Sequence, residues 1–476
     1  MNTYYIKIRG DGQTGLGTLA SPWDGSTAPI FDNLLLNAIP ASIAATNPTP
    51  TTLYNLLGIA TPCIANIILD SGNYQTSGWN LNNANWPRIR SGWNISGSGI
   101  DQTFVKLVGA RSGYLNTSTG EWWVYKVFTT EDSSFSLLQD NVIIQSMTLD
   151  SNLNGQVDSS GIVCGAISMR GNNVTAQNVK CINWGCRNGS ENFVISAGDI
   201  DHSHNANTTG AYILNCIVSN PATGYLGAGG NTCIICGLPN YQNPLTDLSG
   251  YCIGATLSGC TVDGTPSGTI TDPNGIVSSQ GMAGNGFTIY GLSGLAINNV
   301  VKNVTHGCYQ DTWRNQNVTV INNILSGVSW GIHYELATTT STIGTGNFLN
   351  NRIYLRNSQL TNIFNYFVGI TMRWLYTGTP DYASANKIVV SGNYISMTGN
   401  INAPLIYNSS NTATYGIILS NTLSGSIINN TIDNLFSIGD SRSQTNLITT
   451  GTCKSIIMTG NLLISNDISG TTLPAI

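Results

Sequence analysis

The chain has 476 residues, only 9% of them charged, with 18 lysines and arginines against 23 aspartates and glutamates and a net charge of −5. So sparse and mildly acidic a charge, with no basic run, argues against nucleic acid and anionic membrane surfaces as partners, and no apolar stretch approaches the length of a membrane span. Solubility then falls to Asn, Ser, Thr and Gly, and a neutral polar surface with 10 Trp and 20 Tyr suits carbohydrate, whose hydroxyls meet amides and whose apolar faces meet rings.

Residues 1–110 read as an N-terminal cap and first coils. YYIKIRG forms an entry strand, APIFDNLLLNAI a short amphipathic helix, and TTLYNLLGIA a second helical turn. MNTYYIKIRGDG lacks the basic region and apolar run of a secretory leader. Arg88 and Arg90, in PRIRSG, carry charge suited to an anionic sugar but sit in this entry region and read as satisfying backbone carbonyls. Two strand-and-glycine-turn phrases follow the helical stretch, IILDSGNY and NISGSGIDQTFVKL.

Residues 111–476 read as a coiled body with loop excursions. Trp122 and Trp123, beside Glu121, lie in the first excursion, either as a sugar platform or as a cover over one side of the solenoid. Asp199, Asp201, His202 and His204 form a polar corner with two histidines at a spacing that one strand face would share; two ligands alone do not make a metal site. The 11 cysteines, an odd number, occupy apolar strand positions such as VCGAI, NVKCI, ILNCIV and TCIIC without zinc-finger spacing, so buried free thiols are expected. Free thiols favour folding in a reducing cytoplasm, which fits an intracellular protein or a virion component assembled inside its host.

From residue 298 a degenerate phrase recurs: NNVV at Asn298, NNIL at Asn322, NNRI at Asn350, GNYI at Gly392, NNTI at Asn429 and GNLL at Gly460. The second asparagine falls at Asn299, Asn323, Asn351, Asn393, Asn430 and Asn461, at intervals of 24, 28, 42, 37 and 31 residues. Flanking segments (VTVINNIL, KIVVSGNYI, SIINNTI) are short and β-branched, so each repeat is a β-coil that buries its apolar face against its neighbours. Asparagine suits the corner because it tolerates the left-handed backbone region and its amide can bond the same residue one coil away, about 4.8 Å distant. The fold class predicted is all-β, a single-stranded right-handed parallel β-helix of roughly a dozen coils with an N-terminal capping helix.

The opening phrases and the coiled body together resemble the pectate-lyase-like superfamily of right-handed parallel β-helices. That superfamily includes lyases, hydrolases, phage tailspikes and inert adhesins, so the resemblance implies a fold and a choice of functions. Polygalacturonase signatures (Asn-Thr-Asp, Asp-Asp, Gly-His-Gly, Arg-Ile-Lys) are absent. The reading adopted is a carbohydrate-active, tailspike-like protein in a virion or outside the cell, binding a surface polysaccharide along its flank and equipped to cleave it. The alternatives are a structural or adhesive β-helix without catalysis, and a secreted calcium-dependent polysaccharide lyase. No cofactor is expected, with calcium the one metal the last alternative requires. Smooth β-helices often associate along their flanks, which makes a homotrimer an expectation.

Aligning coils on a glycine before an apolar residue gives NGFTIY, HGCYQDTW, WGIHYEL and VGITMRW. Strand alternation sends Phe287, Cys308, Ile332 and Ile370 inward and leaves two solvent-facing columns. One holds Thr288, Tyr309, His333 and Thr371, the other Tyr290, Asp311, Glu335 and Arg373, with Trp313 following. Two carboxyls one coil apart, Asp311 and Glu335, would share one field, the arrangement by which glycosides are cleaved. Arg373 would orient a sugar carboxylate, His333 would relay a proton, and Tyr290, Tyr309 and Trp313 would stack on sugar rings. An exposed ion-pair ladder of little consequence is the competing reading. His306, before a corner glycine, reads as a turn residue.

Overall fold

Each repeat of the asparagine phrase closes one turn of a parallel solenoid. The computed structural model describes residues 2–39, 65–78, 89–108, 115–116, 121–122, 124–130, 138–156, 163–186, 192–198, 208–222, 224–225, 231–237, 252–271, 277–278, 282–291, 293–310, 317–335, 345–356, 366–373, 387–398, 413–419, 424–435, 445–450, 453 and 455–465. Its strands form three faces, each built by the same segment of successive coils. The first face runs through Ala65–Leu69, Trp93–Gly97, Ser293–Ile297, Asn317–Ile321, Thr345–Leu349, Lys387–Ser391, Ser424–Ile428 and Ser455–Thr459. The second includes Val300–Lys302, Ile324–Val328, Arg352–Arg356, Tyr394–Thr398, Thr431–Leu435 and Leu462–Ser465. The third includes Met282–Ile289, Val304–Gln310, Trp330–Glu335, Tyr366–Arg373, Ala413–Leu419 and Thr445–Thr450. Strands Ile143–Asp150 and Val174–Ile182 run through the corner between the first two faces, so these share one continuous sheet. This is the parallel β-helix that the repeat predicts.

Alternation along short β-branched strands puts one side chain in two inside, and parallel register stacks the inside residues into columns. Ala296, Val320, Phe348, Val390 and Ile427 form such a column on the first face. Val301, Leu325, Ile353, Ile395 and Ile432 form one on the second, and Phe287, Cys308, Ile332, Ile370 and Ile417 one on the third. All are buried, and each large aliphatic side chain contributes about 1.5–3 kcal/mol on leaving water. The buried cysteines belong to this interior as free thiols, among them Cys164, Cys181, Cys233, Cys236 and Cys308. Desolvation raises the Cys308 thiol well above its ordinary pKa and pushes Cys252 up to about 11, so both stay protonated and unreactive near neutrality.

The corner between the first and second faces carries the asparagine ladder. The first residue of each phrase adopts the left-handed conformation, with φ of 57° at Asn298, 56° at Asn322, 54° at Asn350, 68° at Gly392, 53° at Asn429 and 66° at Gly460. At Gly460 an added Cβ would meet the Asn429 Oδ1 at 2.1 Å, so any side chain there displaces the Asn429 amide. The second residue turns inward and bonds both neighbouring coils. Asn351 Nδ2 donates to Asn393 Oδ1 at 3.0 Å and to the Val320 carbonyl at 2.9 Å, while its own Oδ1 accepts from the Asn323 backbone and side-chain amides, each at 3.0 Å. The pattern repeats from Asn299 to Asn461. Before Asn299 the column continues as cysteine: the Cys260 amide donates to Asn299 Oδ1 at 2.9 Å, and the Cys216 amide to Cys260 Sγ at 3.4 Å.

The N-terminal end is capped as expected. A short helix, α1 (Ala28–Asn33), continues as a π-helical turn, Leu34–Ala38, and buries Phe31 and Leu35 against the first coils. Asp32 anchors it by accepting from the Thr76 hydroxyl at 2.6 Å and the Ser77 amide at 2.9 Å. Arg90 serves the helix as the sequence suggests, donating to the Leu36 carbonyl at 2.9 Å with its guanidinium 5.9 Å from the Trp93 ring. TTLYNLLGIA, Arg88, Trp123 and the Asp199–His204 corner lie outside the described residues; of Glu121 and Trp122 only the backbone is described, paired with Asn116 and Leu115.

Replacing Asn351 with Ala leaves the Asn323 amides without their acceptor inside the solenoid, a loss on the order of 3 kcal/mol. A urea-denaturation series is expected to show a large drop in midpoint for Asn351→Ala and a shift within about 0.5 kcal/mol for the exposed Lys387→Ala.

Candidate functional site

On the third face the glycines that align the coils are demanded by close packing. A Cβ on Gly331 would lie 2.4 Å from the Gly369 carbonyl oxygen and 2.5 Å from Cγ2 of Ile353; Gly286, Gly307 and Gly369 meet the same obstacles one coil apart. Each glycine therefore lets the third face press onto the aliphatic column of the second. The inward residues are those expected: Phe287, Cys308, Ile332 and Ile370 are buried in the core.

The outward columns differ from expectation. Tyr309, His333 and Thr371 are in register on adjacent coils, and the Thr288 hydroxyl donates to the Tyr309 carbonyl at 2.6 Å. Yet His333 is 2% exposed, Thr288 and Thr371 are 1% exposed, and Tyr290 is 3% exposed, so these side chains do not face solvent. A neighbouring column, Asn285, His306, Trp330 and Val368, made by the residues directly before the glycines, is buried as well and packs beside His333. The His333 ring stacks on Trp330 with centroids 4.6 Å apart and planes at 15°, and lies 4.9 Å from Tyr309. His306 packs 4.6 Å from Tyr309, 5.1 Å from Trp330 and 6.1 Å from His333. It is a buried residue within the strand Val304–Gln310, which corrects its reading as a turn residue. Tyr290 packs with Ile235 and Phe193 in a separate apolar cluster, which removes it as an open stacking platform. Tyr309 alone of this set is partly exposed.

Glu335 and Arg373 are opposite one another in register, as the coil alignment requires; their side chains, together with Asp311 and Trp313, lie outside the described residues. Columns counted from the residue after each glycine omit this histidine–tryptophan packing, which involves the residue before it. The dipeptides Asn-Gly, His-Gly, Trp-Gly and Val-Gly were the signal for it. Among the described residues no three His, Cys, Asp or Glu side chains gather as a metal site. Burial, with a smaller contribution from the adjacent His333 imidazole, holds the His306 imidazole well below its ordinary pKa, so the His306 imidazole is neutral at pH 7.

No protein-family model matches the chain, and no curated protein sequence matches it. Among solved structures it is similar to the A-module of mannuronan C-5 epimerase AlgE6 from Azotobacter vinelandii, at 13% identity over 84% of this chain and 90% of that one, with a TM-score of 0.39. It is also similar to ORF18 of Geobacillus virus E2 (12% identity, 98% of this chain and 62% of that one, TM-score 0.30). A third similarity is to the Streptococcus pneumoniae surface protein and adhesin PfbA (10% identity, 84% and 91%, TM-score 0.31). At these values the likeness concerns fold alone and assigns no chemistry to any residue.

Two outcomes follow from the packing. Gly331→Ala forces the two faces apart and is expected to cost about 1–3 kcal/mol, read as a lowered Tm. His306 binds a proton in the unfolded chain below about pH 6.5 but not in the folded one, so its contribution is fully present above that pH and falls as pH drops. Stability measured from about pH 6.5 to about pH 5 is expected to decline by up to about 1.4 kcal/mol per pH unit from this group, and His306→Gln to flatten the profile.

Proposed function

We propose that the protein binds a polysaccharide along the flank of its β-helix and cleaves it on the third face, as a virion or extracellular component of the tailspike kind. The observation that carries this reading is the register of Glu335 with Arg373, two residues beyond the column of Tyr309, His333 and Thr371. In a chain with 9% charged residues, a glutamate and an arginine at the same register position of adjacent coils, on strands that pair with the strand of the partly exposed Tyr309, are residue types a uronic-acid sugar needs. Glu335 acts as general acid toward the glycosidic oxygen and Arg373 holds the sugar carboxylate. Asp311 enters on the sequence pattern alone, as the base that activates water. His333, packed on Trp330, holds the Tyr309 ring in place, a role better suited to its burial than proton relay.

A binding protein without catalysis is the second reading. The burial of His333, Thr288 and Tyr290 favours it, since packing accounts for each of them without chemistry.

The test is incubation with acidic and neutral polysaccharides, following new reducing ends for hydrolysis and ultraviolet absorbance of an unsaturated product for elimination. Glu335→Gln and Asp311→Asn are each expected to slow cleavage by roughly 10²-fold or more while polysaccharide binding persists. Full activity in Asp311→Asn removes that residue from the site. Binding with no cleavage of any polymer establishes the second reading, and loss of cleavage on chelation establishes the calcium-dependent one. Sedimentation equilibrium decides whether the working form is a homotrimer.

A further inference from the structure

The outer side of the second face gathers a different set of side chains. Its strands present two columns in register: Val300, Ile324, Arg352, Tyr394 and Thr431, and beside them Lys302, Ser326, Tyr354, Ser396 and Asp433. Arg352 and Lys302 are exposed, and Tyr354 and Tyr394 are half-buried with their rings 5.8 Å apart and tilted by 55°. The Tyr394 hydroxyl points toward the Asp433 carboxylate at 3.4 Å. The Arg352 side chain has no ion-pair or hydrogen-bond partner among the described residues.

We infer that this face is a second saccharide site, separate from the third-face centre, which holds a carboxylate-bearing sugar chain running parallel to the solenoid axis. Flat rings one coil apart offer successive stacking surfaces about 4.8 Å apart along that axis. Arg352 lies directly beneath Tyr394 in the same column and two residues from Tyr354 along its strand, so a sugar stacked on either ring brings an equatorial carboxylate to the guanidinium. Lys302 extends the positive end by two coils. Asp433 stands two coils from Arg352 on the other side, roughly 9.6 Å away, where it accepts sugar hydroxyls without cancelling the cation. In a chain of net charge −5, two exposed cations with two tyrosines on one flat face select an acidic glycan over a neutral one.

This inference rests on the reading of the chain as a polysaccharide binder, and its test separates the two. Calorimetric titration of the full chain uses oligogalacturonate and hyaluronan oligosaccharides as acidic probes and dextran as the neutral one. Arg352→Ala and Tyr394→Ala are each expected to weaken an acidic probe on the order of tenfold, with Arg352→Ala leaving any dextran affinity unchanged. Added salt is expected to weaken wild type more than Arg352→Ala. Both side chains are outside the core, and an unchanged Tm confirms that the variants fold. Cleavage of short soluble substrate is expected to be the same in these variants as in wild type. Acidic-probe binding that survives both substitutions but is lost in Arg373→Ala overturns the second site and leaves the third-face reading standing. Binding lost in Arg352→Ala in a protein that cleaves nothing supports the second site without the first. Absence of acidic-probe binding by wild type, or a fall in sedimenting mass on Arg352→Ala with no change in sugar affinity, overturns the second site.

Discussion

The stacking of buried amides at one corner is the interaction on which the architecture depends. Each ladder asparagine from Asn299 to Asn430 bonds the coils on both sides of it, so a slip of one residue in any coil would strand donors and acceptors inside a medium where they find no water. The parallel strands on either side of the corner inherit that register. Coil lengths vary from 24 to 42 residues between successive ladder asparagines, yet the first-face strands that lead into them pair without offset. Extra residues can therefore leave at other corners, where loop closure grows only slowly more costly with length.

A second constraint fixes how the third face meets the rest. The glycine column lets backbone approach the Leu325, Ile353 and Ile395 side chains to within van der Waals contact, with no room for a methyl group. On each coil the outward residues one before and two after the glycine, His306 with Tyr309 and Trp330 with His333, have ring centroids 4.6 Å apart, and together they form one cluster. It is apolar enough to keep the His306 imidazole uncharged, and rigid enough to fix the partly exposed edge of Tyr309.

A solenoid converts positions far apart in sequence into lines along an axis, and function on such a scaffold is written in columns. The third face places Glu335 with Arg373, and the second places Arg352 with Tyr394, each by the same register rule. Polymers with a repeating unit suit such lines, because each coil can meet another unit with the same kind of contact. With so few charges on the chain, the location of each one carries more information than it would on an ordinary surface.

The recurrence of the asparagine phrase, the β-branched runs and the glycine before each third-face strand determined the fold class, the ladder and the inward side chains. These are local properties: left-handed φ tolerance, strand alternation and the absence of a side chain are decided by a residue and its immediate neighbours. Alternation also decided which side of the sheet His333 and Tyr290 take. It could not tell whether that side is wet, because exposure depends on what packs there, and beside Trp330 of its own strand the rings against His333, those of His306 and Tyr309, come from the preceding coil. The same limit hid the continuation of the ladder into Cys216 and Cys260, where thiols stand in for amides and the phrase itself disappears. Which column faces the core was thus written in the chain, and which outward column remains open was decided by packing, since burial is a property of distant surfaces meeting.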